Sequence, residues 1–147
     1  MKKIILLWSL WSLCLSVFSQ DTPLAIEKIT GRWVEVKETD NTETYTEPEY
    51  PYTYIFRENN VFHLGEASDG VILFNITGKY TLLEDTINVI YFDLLHSKTG
   101  DRKARQISFK VLSLNNNIMR LLVNDYDYSY PLILKKQLST DRDGNKE

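Results

Sequence analysis

Cysteine, histidine, glycine and proline are all scarce in this chain: its 147 residues include one Cys, two His, six Gly and four Pro. A single cysteine makes no intrachain disulfide and no multi-thiolate metal site, so neither a disulfide-stapled scaffold nor a zinc module fits. The two histidines, His63 and His96, sit in no nucleophile elbow, zinc motif or defensible Ser/His/Asp spacing, and the chain has no Gly-rich phosphate loop. Low glycine and proline exclude collagen-like and linker-rich chains. Excess charge is missing too. With a net charge of -3 and no long run of Lys or Arg, the chain lacks the basic surface that nucleic acid demands. What is present is 43 % hydrophobic and 25 % charged residues, which is too apolar and too weakly charged for disorder and predicts one packed domain.

Long apolar runs are confined to the N-terminus. Lys2 and Lys3 precede a stretch from Ile4 to Phe18 that only serines interrupt. That is a basic n-region followed by an h-region, shorter than the ~20 residues of a membrane-spanning helix. Val17 and Ser19 supply small residues at -3 and -1, so cleavage is expected after Ser19. A lipoprotein signal at Cys14 is disfavoured because Leu13, and not a small residue, precedes it. Removing 1–19 as a signal peptide leaves 128 residues with 15 basic and 20 acidic side chains, net charge -5, no cysteine and Trp33 as the one tryptophan. An exported, periplasmic or extracellular, domain without disulfides is therefore expected.

From residue 31 onward the pattern is strand. Residues 31–38 alternate with Val34 and Val36 on one face, and Tyr52, Tyr54 and Phe56 oppose Thr53, Ile55 and Arg57. Phe62 and Leu64 share a face after the turn Glu58-Asn59-Asn60; a long strand follows from 71 to 83, with a bulge or bend expected at Gly78. Residues 86–95 are apolar on both faces and are expected to be covered on both sides. Residues 104–113 place Ile107, Phe109 and Val111 together, and strands over 118–124 and 130–136 complete a set of eight. With no helical layer, a sandwich and a closed barrel are the two solutions. The connections after the second, fourth and sixth strands are short, and those after the first, fifth and seventh are long. Such alternation fits an up-and-down antiparallel barrel with one closed end and one open mouth. The predicted organisation is a plug segment at 20–30, the barrel at 31–137 and a polar tail at 138–147.

Thr30-Gly31-Arg32-Trp33, opening the first strand, resembles the Gly-x-Trp signature of lipocalins. Thr77-Gly78-Lys79-Tyr80 through Leu82, Asp85, Thr86 and Ile87, then residues 112–117 and 130–136, are similar to the strand-turn pattern of small lipocalin-like domains exported by Bacteroidetes-type bacteria. The resemblance covers 29–136. It implies a calyx in which Gly31 and Trp33 close the base with a basic residue from the last strand, here Lys135 or its neighbour Lys136; Lys135 is taken as the closure residue. It also implies that Trp33 is a packing residue and not a ligand contact. Asp85-Thr86-Ile87 further resembles a short O-glycosylation signal of such bacteria, while the triplet Asn75-Ile76-Thr77 lies inside a predicted strand.

The loops carry the remaining chemistry. His63 reads as a half-buried strand residue and His96 as a solvated one. Asn124, Asp125 and Asp127, or Glu43, Glu47 and Glu49, supply oxygen ligands without the spacing of a calcium loop, so no metal and no cofactor are expected. Tyr45, Tyr50, Tyr126, Tyr128 and Tyr130 are expected in mouth loops, opposite a basic stretch with Lys98, Arg102, Lys103 and Arg105. Tyrosine joins an apolar body to one polar tip, which suits an amphipathic ligand or a partner surface. Candidate interior residues are Tyr52, Tyr54, Phe56, Tyr80, Tyr91, Phe109 and Leu132. The expected function is binding of a small apolar or amphipathic molecule without catalysis. The alternative is a protein-interaction module, an envelope-enzyme inhibitor or surface-complex component, that uses the tyrosine-rich mouth; an enzyme ranks third.

Overall fold

The computed structural model describes residues 24–39, 44–68, 71–92, 104–115 and 117–138. The expected signal segment 1–19, Glu43, His96, Lys98, Arg102, Lys103 and the tail from residue 139 lie outside the described residues. The elements are α1 (Ile26–Ile29), β1 (Gly31–Glu35), β2 (Lys37–Glu38), β3 (Tyr45–Thr46), β4 (Tyr52–Phe56), β5 (Val61–Ser68), β6 (Val71–Leu83), β7 (Thr86–Phe92), β8 (Ala104–Asn115), β9 (Ile118–Asp125) and β10 (Tyr128–Gln137).

Eight of the strands close into one antiparallel barrel in the order β1-β10-β9-β8-β7-β6-β5-β4, with β1 completing the ring between β10 and β4. Alternation decides which side chains fill it. Trp33, Tyr54, Phe56, Phe62, Tyr80, Ile87, Val89, Tyr91, Ile107, Phe109, Met119, Leu121, Val123, Leu132 and Leu134 point inward and form one continuous core. The turns after β4, β6 and β8 lie at the same end as α1. Three of them use a left-handed residue, Asn60 (φ 64°), Glu84 (φ 55°) and Asn117 (φ 68°), a conformation that asparagine tolerates better than glutamate.

That end is closed by packing. Ile29 of α1 is fully buried, with Leu24 and Ile26 partly buried against the core. The Trp33 indole Nε1–H donates to the Ile29 carbonyl at 2.7 Å. Lys136, not Lys135, stands over the Trp33 ring, its Nζ 5.3 Å from the centroid, while Lys135 is exposed. The reason is register: Trp33 pairs with Lys136, and its neighbour on the strand must face the other way. Gly31 has φ 132°, a conformation that calls for glycine, and a Cβ there would also meet the flexible end of Lys136, its Cε at 2.8 Å, which would have to shift. Tyr80 ties in the β4–β5 turn, donating its hydroxyl to the Arg57 carbonyl at 2.7 Å while Asn60 donates to the Tyr80 carbonyl at 3.1 Å.

Four details differ from the sequence expectations. The run 31–38 breaks after Glu35, because residues 37–38 pair with 45–46 in a separate two-stranded sheet outside the ring. The irregularity in β6 is not at Gly78, whose missing side chain instead lets the β7 backbone at Ile90 approach; the extra residue is Asn75, since Leu64 pairs with Ile76 and Gly65 with Phe74. A second irregularity sits at Leu112, between Val111 and Ser113 of β8. Finally, β7 is covered on one face only: Ile87, Val89 and Tyr91 are buried, whereas Ile90 and Phe92 on the outer wall are about half exposed.

Candidate binding cavity

The closed half of the barrel is filled by aromatic rings. Phe56 meets Tyr80 edge-on at 5.4 Å and Phe109 at 6.3 Å, and Phe62 lies 5.2 Å from Phe56 and 5.9 Å from Phe109. Edge-to-face pairs of this kind contribute about 0.5–1.5 kcal/mol each beyond the area they bury. Tyr54 caps the cluster, edge-on to Phe109 at 6.1 Å.

Above that floor the barrel is hollow. A cavity of about 420 Å³ opens at the mouth, walled by Phe62, Leu64, Ile76, Ile107 and Leu132 below and by Tyr52, Tyr54, Tyr91 and Tyr130 around the sides. Its other polar groups are Glu35, Asn75 and Asp125. Each reaches the cavity for a local reason. Glu35 ends β1 on the inward parity of Trp33, Asp125 ends β9 on the parity of Val123, and Asn75 is the extra residue of the β5–β6 bulge, a device that re-aims a side chain.

Tyr54 is 5 % exposed and lines the hollow, and no buried side-chain oxygen or nitrogen among the described residues lacks a partner, so its hydroxyl remains accessible from the cavity. Burial pushes its phenol pKa well above the ordinary tyrosine range, and Tyr130 and Glu35 add to the rise. Tyr130 is shifted the same way, first by burial and then by the charges of Asp125 and Glu35. These groups therefore act on one another across one compartment.

Of the seven candidate interior residues, Tyr52, Tyr54, Tyr91 and Leu132 line the cavity, while Phe56, Tyr80 and Phe109 belong to the packed floor and lie apart from the lining. Tyr52 stands at the rim and is partly exposed. Among the mouth tyrosines, Tyr130 turns into the cavity, and Tyr126 and Tyr128 project from the β9–β10 hairpin, 92 % and 76 % exposed. The expected long loop there is a tight two-residue turn, with Tyr126 at φ 54°. Tyr50 is exposed two residues before β4. Tyr45 is not at the mouth: β3 lies on the outer wall, where Arg120 grips Glu38 through two hydrogen bonds of 2.7 and 3.1 Å and donates to the Tyr45 hydroxyl at 3.2 Å. The Glu38 carboxyl is held below its usual range by that arginine.

His63 is half-buried on the outer wall, hydrogen-bonded to Thr77 Oγ1 at 3.0 Å, with its ring 5.6 Å from that of Phe74 and tilted to it by 53°. Among the described residues no group of three or more His, Asp or Glu side chains gathers to hold a metal ion. The lining residues that were not among the candidate interior or mouth residues are Glu35, Phe62, Leu64, Asn75, Ile76, Ile107 and Asp125. Glu35 had a signal, since it shares the parity of Trp33; Asn75 had none, because the bulge that aims it is created by pairing.

The model of the lipocalin-like domain family matches residues 29–121. Among solved structures, the chain is similar to a lipocalin-like protein from Bacteroides uniformis, at 20 % identity and a TM-score of 0.50, over 75 % of this chain and 99 % of that one. It also matches an uncharacterized protein from Bacteroides eggerthii, at 19 % identity and a TM-score of 0.45, over 74 % of this chain and 98 % of that one. No curated protein matches significantly. The Gly-x-Trp opening, the eight-stranded closed barrel with its tryptophan-sealed base, and a family match over most of the barrel lead to one conclusion: the chain belongs to the lipocalin-like domain family.

Proposed function

We propose that this protein binds one small apolar or amphipathic molecule in the mouth cavity, without catalysis, and that it does so outside the cytoplasm after loss of residues 1–19. A ligand-binding barrel is what the family fold provides. The observation that carries the finer reading is the hollow of about 420 Å³ above an aromatic floor. That volume falls in the range of about 300–1,000 Å³ typical of small-molecule sites, and its mix of apolar wall and a few polar groups is the usual composition. Export is supported by the basic start and the short apolar run at 4–18.

The test is uptake of the apolar dye N-phenyl-1-naphthylamine by the chain beginning at residue 20. Dye fluorescence should rise saturably with one site per chain. Ile107→Trp, which places a larger ring in the lining, should abolish the rise while circular dichroism remains that of a β-barrel. Dye that binds the filled variant equally well would place it elsewhere and overturn the reading.

The exposed Tyr126 and Tyr128 favour a second reading, in which the β9–β10 hairpin contacts a protein partner. Native mass spectrometry of protein isolated from its own cells separates the two: a co-purifying small mass supports the cavity, a co-purifying polypeptide the hairpin.

A further inference from the structure

Among the described residues, the polar half of the cavity is one-signed: the charged side chains that line it are Glu35 and Asp125. Glu66, paired across the strands with Tyr52, brings a third carboxylate to the rim. Arg105, opposite Tyr91 and on the inward parity of Ile107, stands exposed at the rim, outside the lining, and has contacts of its own. Four tyrosine rings stand around the same space.

We propose that the cavity selects molecules that carry a cationic group, a protonated amine or quaternary ammonium, on an apolar body, with the cation held at the mouth between Glu35 and Asp125 and the body resting on Phe62, Leu64, Ile107 and Leu132. This deepens the small-molecule reading and rests on it. Three physical arguments converge. A cation entering a half-enclosed apolar site loses hydration and is retained only where opposite charge replaces that water. Tyrosine ring faces add a second attraction for cations, strongest where solvent is excluded. An anion of equal size meets the reverse situation, with repulsion from two carboxylates and no cation among the described lining residues, which is discrimination by exclusion as well as by attraction.

Tyr54 adds a polar group to the same lining. The residue is nine-tenths or more buried and its ring is packed in the aromatic floor, but no buried side-chain oxygen or nitrogen among the described residues lacks a partner, so its hydroxyl reaches the accessible space of the cavity. There it can donate to or accept from the polar end of an occupant.

The experiment displaces bound N-phenyl-1-naphthylamine at constant ionic strength and pH 7 with three indoles that differ in one terminal group: tryptamine (cation), tryptophol (neutral) and indole-3-acetate (anion). Tryptamine should displace the dye at least about tenfold more effectively than tryptophol, with indole-3-acetate weakest, as expected of partly desolvated charge pairs. In the double variant Glu35→Gln, Asp125→Asn, the tryptamine preference, measured against that variant's own dye affinity, should fall to about threefold or less. A preference that survives in that variant reflects general attraction to an acidic surface and overturns the assignment. So does equal or better displacement by indole-3-acetate, or displacement by none of the three. Should the double variant not fold, the order among the three indoles on the unaltered chain decides, together with Glu35→Gln alone. Failure of the dye itself to bind would remove the small-molecule reading, whereas dye binding with the wrong charge order would remove only this one.

Discussion

Tyr54 is the residue at which folding and binding meet. Its ring is part of the aromatic floor, 6.4 Å from Phe62 and 6.1 Å from Phe109, and its hydroxyl is left to the cavity. Deleting that hydroxyl removes no hydrogen bond, so Tyr54→Phe should change stability at pH 7 by less than about 1 kcal/mol in urea unfolding. The alkaline side is different. Burial raises the phenol pKa of Tyr54 above its unfolded value near 10, so the folded state resists losing that proton. Stability from this source is complete below pH 10 and is lost as pH rises beyond it, because the unfolded chain ionises first. Tyr54→Phe should therefore lose less stability between pH 9 and 11 than the unaltered chain; an equally steep loss would assign the effect to other groups. The inward direction of Tyr54 was legible in the sequence from the alternation of residues 52–57. The identity of the lysine over Trp33 was not. Two adjacent lysines offer both parities, and only the β1–β10 register chooses Lys136.

Among the elements, the β2–β3 hairpin is the clearest case of structure that local pattern does not encode. Nothing in residues 37–46 is apolar enough to demand burial, and their anchor, Arg120, is 82 positions from Glu38. Arg120→Ala should leave the barrel's unfolding midpoint unchanged, since exposed ion pairs contribute little. Amide exchange at Lys37, Glu38, Tyr45 and Thr46 should accelerate markedly, as measured by hydrogen exchange, while that of β9 should not. The outer-wall patch under this connection is apolar, with Val34, Val36 and Thr53 buried although they face away from the interior. The paired valines were visible in the sequence; that they face outward follows from Trp33 and Glu35 facing in. Strand ends at the mouth were harder to read for a related reason. Where a barrel strand rises above its packed core, its inward residues are polar or aromatic, and Asp125, Tyr128 and Tyr130 look like loop although they are paired strand. The bulges at Asn75 and Leu112 left no composition mark. At Leu112 the only trace is that Val111 and Leu114, both packed against the core, differ in parity.

At the scale of the whole molecule, the barrel has a sealed base and an open mouth. The spacing of short connections indicated this arrangement, because turns at 57–60, 84–85 and 115–118 fall on one side. The base should dominate stability. Trp33 is fully buried, hydrogen-bonded to Ile29 and covered by Lys136, so Trp33→Ala should cost about 3–5 kcal/mol in denaturant unfolding. That is a large share of the roughly 5–15 kcal/mol available to a small domain. A loss below about 1 kcal/mol would mean that the base is not where the fold is secured. The same placement gives the molecule two optical channels. Trp33 is the one tryptophan among the described residues and lies below the rings of Phe56, Phe62 and Phe109, whereas four of the tyrosines surround the cavity above them. In the chain beginning at residue 20, which lacks Trp8 and Trp11, indole emission thus reports on the integrity of the base and phenol absorbance on occupancy of the mouth, so unfolding and ligand loss are separable by wavelength in one unlabelled sample.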